Sequence, residues 1–188
     1  MQTKELQNKT SKVFLIVGPA GAGKSTIAKL LTKTFKQCAL IEVDVIRHMI
    51  ISGHISPFKK TISSELQLEL AIKNTCALTK NFTSEGFNVV IDDVVSTKSK
   101  LDLYLKLLPK KSLYVFLLMP DKKTLRTRDL SRSKHAQMKQ RALNLHGTFL
   151  ERIKTEDRWH IIDNSKLTKN QTLTIIKNTS NANKRITK

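Results

Sequence analysis

Gly18-Pro19-Ala20-Gly21-Ala22-Gly23-Lys24-Ser25 constrains this chain more than any other segment in it. It satisfies the pattern of a glycine, four residues, Gly-Lys, then Ser or Thr. It stands between a short apolar run, Val13 to Val17, and an amphipathic stretch that begins at Lys24. Gly18, Gly21 and Gly23 let the backbone curl until successive N–H groups point inward, which makes a nest for phosphate oxygens. A helix opening near Lys24 adds the positive end of its dipole. The Lys24 ammonium can reach the β- and γ-phosphates, and the Ser25 hydroxyl is offered to Mg²⁺. Residues Gly18 through Thr26 are therefore expected against a bound nucleoside triphosphate.

The rest of the chain alternates strand and helix. Val13–Val17 reads as a buried parallel strand, with a helix from about Lys24 to Phe35 after it. A second strand is expected over Ala39–Val43, then a short helix with Val45, Ile46, Met49 and Ile50, stopped by Gly53. Gly53 to Lys60 reads as a loop. A long helix from about Ser63 to Ser84 carries Leu66, Leu70, Ala77, Leu78 and Phe82 at helical spacing, with Gly86 as its C-cap. Phe87–Ile91, Leu113–Met119 and Trp159–Ile162 are the remaining strands. Thr97 or Ser99 caps a helix that Pro109 ends. A basic helical region spans about Lys122 to Lys154, and Thr168 with Gln171 opens a last helix through a capping box. Five strands alternating with helices predict a parallel sheet in a three-layer sandwich, with right-handed crossovers covering both faces. We expect a polar extension over residues 1–12, one α/β domain over 13–177 with a lid at about 122–141, and a basic tail over 178–188 that frays.

Three further groups of residues bear on chemistry. Asp44, just after the second strand, is expected near the glycine-rich loop, because ligands in open α/β sheets gather at the carboxyl ends of strands. There it can accept a proton from an attacking hydroxyl. Its alternative role is to cap the following helix. Arg47, one turn on, can clamp an anionic substrate or serve as a surface ion-pair partner. The run Val89-Val90-Ile91-Asp92-Asp93 has acids at a strand terminus. One of them suits Mg²⁺ and the other can face the substrate, since adjacent strand residues point opposite ways. The metal assignment goes to Asp92 and the substrate assignment to Asp93. Arg126, Arg128 and Arg132, continuing to Lys134, Lys139 and Arg141, can close over the triphosphate and stabilise charge on the transferred group. Arg128 and Arg132 are expected on one helix face. The alternative is a solvated charged helix.

Cys38 and Cys76 form no CxxC or Cys/His cluster and read as buried thiols. The five histidines show no metal-ligand spacing, and a packing or surface role is expected for His146. The net charge of +19 implies attraction to polyanions. From Lys122 onward there are 17 basic and 5 acidic residues. This excess fits nucleotides, an anionic substrate, or weak nucleic-acid binding through a basic surface. No apolar run nears the roughly 20 residues of a membrane helix or forms a signal-peptide core, so a cytoplasmic protein is expected.

With these residues together, the chain resembles the small P-loop kinases grouped with chloramphenicol phosphotransferase. More distantly it is similar to the shikimate, gluconate and polynucleotide kinases. The likeness rests on GPAGAGKST, on V-D-x-I-R at Asp44, and on the run from Asn74 through Asp93. R-D-L-S-R in the basic segment and I-I-D-N-S near Ser165 complete it. It implies a sheet of order 2-3-1-4-5 and phosphoryl transfer from ATP to a hydroxyl. Asp44 would be the base, Lys24, Arg128 and Arg132 would act on the phosphates, and Asp163 to Ser165 would lie near the adenine. The partners expected are ATP and a small hydroxyl-bearing acceptor, for a monomer or homodimer. A 5′-hydroxyl polynucleotide kinase and a nucleotide-dependent switch are the alternatives. A GTPase is disfavoured because no N-K-x-D motif follows the loop. A AAA+ motor is disfavoured because 188 residues leave no room for its extra helical domain.

Overall fold

The computed structural model describes residues 11–182. Five strands form its sheet: β1 (Val13–Val17), β2 (Cys38–Glu42), β3 (Asn88–Asp92), β4 (Leu113–Leu118) and β5 (His160–Ile162). All neighbours are parallel, in the order β2-β3-β1-β4-β5. The helices are α1 (Lys24–Thr32), α2 (Val43–His48), α3 (Ile62–Ser84), α4 (Lys98–Leu107), α5 (Lys122–Leu130), α6 (Gln140–Ile153) and α7 (Lys169–Asn181).

Strand alternation builds two cores from one sheet. Val13, Leu15 and Val17 of β1 face Ile72 and Cys76 of α3 and Leu101 and Tyr104 of α4. Phe14 and Ile16 face the other way, onto Ile27, Ala28 and Leu31 of α1, Leu125 of α5 and Ile176 of α7. The central strands are buried on both sides, and for that reason they read as continuous apolar runs. α6 reaches both layers, with Ala142 in one core and Phe149 in the other. Register then fixes the chemistry. Ile16 pairs with Asp92, so β1 hands the chain to the glycine-rich loop beside the acids that end β3.

Capping follows the sequence closely. Thr97 accepts from Lys100 N–H to start α4, and Thr168 and Gln171 form a reciprocal box at α7. α3 ends just before Gly86, whose φ of +81° only glycine adopts without strain. Leu108 turns extended ahead of Pro109.

Some boundaries move. Val43 belongs to α2, not to the second strand: with Ile46 it turns into the core, and that burial favours a helix from Val43 onward. α2 also stops at His48, well short of Gly53. α1 ends at Thr32, where turns replace the helix through Phe35. The basic helical region is made of α5 and α6, divided at 131–139 by a turn and a short 3₁₀ segment, Lys134–Ala136. α7 continues to Asn181 instead of fraying at 178. Ser180 is buried there, and its carbonyl accepts from Lys12 Nζ at 3.3 Å. The remainder of the expected tail (183–188), and residues 1–10 of the expected extension, lie outside the described residues.

Candidate active site

The loop between β1 and α1 owes its path to Gly18. A Cβ on Gly18 would overlap the Leu118 carbonyl oxygen, so the loop can lie against the end of β4 only without a side chain there. Gly21 and Gly23 also have positive φ, and Ala22 N–H closes the turn onto Pro19 O at 3.2 Å. Lys24 then opens α1 with its side chain folded back. Its Nζ donates to Pro19 O at 3.2 Å, and the residue is 9% exposed. Burial lowers the Lys24 pKa. Asp92 opposes that most, then Asp44 and Asp93, while Arg132 reinforces it. These five charged groups therefore share one electrostatic environment at the mouth of the loop.

Ser25 Oγ donates to Asp92 Oδ2 at 2.5 Å. Burial raises the Asp92 pKa against Lys24 and the Ser25 hydroxyl, which hold it down. Asp93 turns the opposite way, as strand alternation requires. It accepts from Tyr104 Oη at 2.8 Å and from Val94 N–H at 2.7 Å. Burial lifts its carboxyl to about 6 despite those two donors.

Asp44 lies inside the first turn of α2 and does not cap it. The N-cap is Glu42, which makes no side-chain capping bond and pairs instead with Lys29 at 3.1 Å. The Asp44 carboxylate is 76% exposed and takes Arg47 Nη2 at 3.1 Å. The Arg47 side chain is the buried member, 11% exposed, and its Nε has no partner. Arg47 Nη2 also lies 3.3 Å from His48 Nε2.

The two arginines expected to close as a lid are separated. Arg128, in α5, donates to Asn164 O at 2.9 Å, whereas Arg132 lies past the helix end and reaches Asp129 at 3.4 Å. A single continuous face for both is therefore not what the chain forms, because α5 stops at Leu130. Arg141, at the start of α6, stacks its guanidinium over the Phe58 ring at 4.7 Å. That contact joins the lid side to the 53–60 loop.

After β5, Asp163 and Ser165 face outward and bond to each other, and Ser165 Oγ accepts from Asp121 N–H at 2.7 Å. Asn164 between them is buried and donates from Nδ2 to Ala22 O at 3.0 Å. It therefore braces the glycine-rich loop, a role that the sequence reading missed. Alternation from buried Ile162 would have pointed it inward. Asp129 was also missed, as a lone acid among cations, and it is 2% exposed. His146 is buried with Nε2 2.9 Å from Pro120 O, a packing role as expected. Of the two thiols Cys76 is buried and Cys38 half-buried, and burial pushes them up to about 12 and about 11.

A family model described as an AAA domain matches residues 13–154. The chain belongs to that family. The match takes in the glycine-rich loop, Asp44, both β3 acids and the basic lid segment. Although this AAA-domain family shares its name with the motor ATPases set aside above, the solved structures that the chain resembles include several kinases. A sugar kinase from Janibacter sp. superposes with a TM-score of 0.69 at 14% identity, covering 91% of this chain and 95% of its own. Thymidylate kinase from Candida albicans gives 0.66 at 18%, with 93% of each chain covered. The tunicamycin resistance protein of Deinococcus radiodurans gives 0.66 at 15%, covering 92% and 95%. The fold of this AAA-domain chain is that of the P-loop kinases. Among the described residues no helix is long and apolar enough to cross a membrane.

Proposed function

We propose that this chain is an ATP-dependent phosphotransferase that moves the γ-phosphate to a hydroxyl of a small molecule. The observation that carries this reading is the Ser25–Asp92 contact beside buried Lys24, with the exposed Asp44 carboxylate acting on the same ammonium. The loop amides of 18–24 and the Lys24 ammonium bind the triphosphate, for which Lys24 would exchange its bond to Pro19 O. Ser25 Oγ and the Asp92 carboxylate are two hard oxygens in contact, a donor pair that fits Mg²⁺ completed by phosphate oxygens and water. When bound, Mg²⁺ neutralises charge on the phosphates.

Asp44 is the proton acceptor. The acceptor oxygen bonds to the γ-phosphorus, the bond from that phosphorus to the bridging oxygen breaks, and the hydroxyl proton passes to Asp44, leaving ADP. Its exposure leaves this carboxylate reachable by an incoming alcohol. Arg47 pairs with it at 3.1 Å, and the guanidinium is placed to meet an anionic group of the acceptor. Asp93 lines the same side, set by Tyr104. Arg128 and Arg132 approach the phosphates from the lid, and Asp163 and Ser165 lie at the adenine end. The test is transfer of labelled γ-phosphate to a panel of hydroxyl metabolites, aminoglycoside-like and phenicol antibiotics, and 5′-hydroxyl oligonucleotides. Asp44-dependent transfer to one class supports the reading. ATP binding with no transfer to any member, or to water, contradicts it.

A further inference from the structure

Asp129 is poorly placed for the helix that carries it. It occupies the last turn of α5, where the helix dipole disfavours an anion, in a stretch otherwise rich in cations. It is also 2% exposed, and a buried carboxylate persists only when its oxygens are satisfied. They are satisfied by the far end of the lid. Met138 N–H lies 3.0 Å from both oxygens, Lys139 N–H donates to Oδ2 at 2.6 Å, and Arg132 Nη1 stands 3.4 Å from Oδ1.

The carboxylate thus gathers both ends of segment 131–139. Lys139, the N-cap of α6, has no side-chain cap and a φ of +49° unusual for a residue with a Cβ. Its own N–H is held by Asp129, and the negative charge sits at the start of α6, where the dipole favours it. The same residue touches the phosphate loop. A Cβ on Gly21 would stand 3.6 Å from Asp129 Cβ and 3.1 Å from Leu125 O. The guanidinium that Asp129 holds is the one whose charge is felt at Lys24.

We propose that Asp129 is the positioning residue of the lid: it fixes segment 131–139 beside the phosphate loop and holds Arg132 ready for the γ-phosphate before nucleotide arrives. The long Arg132 contact is the one that exchanges, since the guanidinium can leave 3.4 Å geometry for a phosphate oxygen while the two amides stay bound. The part of this that concerns Arg132 and the γ-phosphate rests on the phosphotransferase reading; the latch itself does not.

The test compares wild type with Asp129→Asn and Asp129→Glu, each also in an Arg132→Ala background. In nucleotide-free protein, trypsin cleavage after Lys134 is timed. Asp129→Asn is expected to be cut about fivefold faster or more, because local opening governs the rate. Asp129→Glu, which keeps the charge, is expected to recover part of the protection. Unchanged cleavage in Asp129→Asn overturns the latch. Should Asp129→Asn not fold, hydrogen exchange in the wild type decides: the Met138 and Lys139 amides are expected to be protected, and exchange as fast as that of exposed loop amides overturns the latch. Titration calorimetry with Mg²⁺ and AMPPNP or ADP gives the second arm. Asp129→Asn is expected to lose about fivefold of the preference for AMPPNP over ADP while ADP affinity holds, and to lose nothing in the Arg132→Ala background. Equal losses for both nucleotides, or a loss that persists without Arg132, overturn the positioning role. A wild type that binds neither nucleotide refutes the phosphotransferase reading, and the latch is then decided by proteolysis.

Discussion

Gly18→Ala puts a methyl group where the Leu118 carbonyl oxygen already stands, well inside the 3.0 Å that real Cβ atoms respect. That oxygen cannot swing aside cheaply. Leu118 is fully buried in β4, paired with Ile162 of β5, and the next residue's N–H is bonded to Ile162 O at 2.9 Å. Overpacking of this kind costs about 1–3 kcal/mol. The φ of +146° adds strain for any residue with a Cβ, about 1–2 kcal/mol. Together these are roughly 2–5 kcal/mol, or about 4–20 °C in Tm for a chain of this size. Gly86→Ala is the control, since its φ of +81° carries the strain but nothing lies within 4 Å of the added Cβ. It should lose only about 1–2 kcal/mol. Thermal unfolding followed by circular dichroism, with and without Mg-ATP, measures both. Gly18→Ala should melt lower than Gly86→Ala and should gain less from the nucleotide. Equal melting points would refute the claim that close approach to β4 shapes the phosphate loop.

Lys24→Ala removes the one side-chain cation of the loop, and charge-assisted contacts are worth about 1.5–3 kcal/mol each, so calorimetry should show ATP binding at least about tenfold weaker in a protein that still folds. Asp93 gives a pH dependence. Its folded pKa of about 6 lies above the ordinary 3.8, so the native state binds the proton more tightly and the wild type loses stability as pH rises from about 4 through about 6. Asp93→Asn can still accept from Val94 N–H through Oδ1 while its NH2 donates to Tyr104 Oη, so its urea midpoint should improve relative to wild type across that window. A difference that stays flat from about pH 4 to 7 would show that Asp93 carries no raised pKa.

The fold was legible because its signals are local and agree with one another. The apolar runs of β1, β3 and β4, the capping box at Thr168, the glycine at Gly86 and the stop at Pro109 each fix a boundary without tertiary help. The sheet order came from the family resemblance, since no local pattern encodes which strands are neighbours. The errors fall where tertiary contacts decide. Val43 has strand propensity but goes helical to bury itself with Ile46. The basic region reads as helical because its cations suit a helix, and where it divides, at 131–139, the buried Asp129 carboxylate accepts from Met138 and Lys139 N–H. The site shows the same division. Lys24 and Ser25 stand in a motif whose spacing suits phosphate geometry, Asp92 ends an apolar strand run, and the structure brings Ser25 and Asp92 into contact. Asn164 and Asp129 act through backbone atoms of distant segments, Ala22 in one case and Met138 and Lys139 in the other, and no spacing rule announces such partners.

Turnover of Asp44→Asn tests the central claim most directly. Asn keeps the size of the side chain and cannot take a proton. Among the described residues Asp44 makes no capping bond that the change would remove, and it pairs with Arg47. With the phosphate acceptor found by the labelled-ATP panel, kcat should fall by roughly 10²–10⁴. ATP affinity, Mg²⁺ dependence and Tm should stay close to wild type, in contrast with Asp92→Asn, which should shift the Mg²⁺ dependence. An Asp44→Asn protein that turns over at the wild-type rate would contradict the account and remove Asp44 as the base.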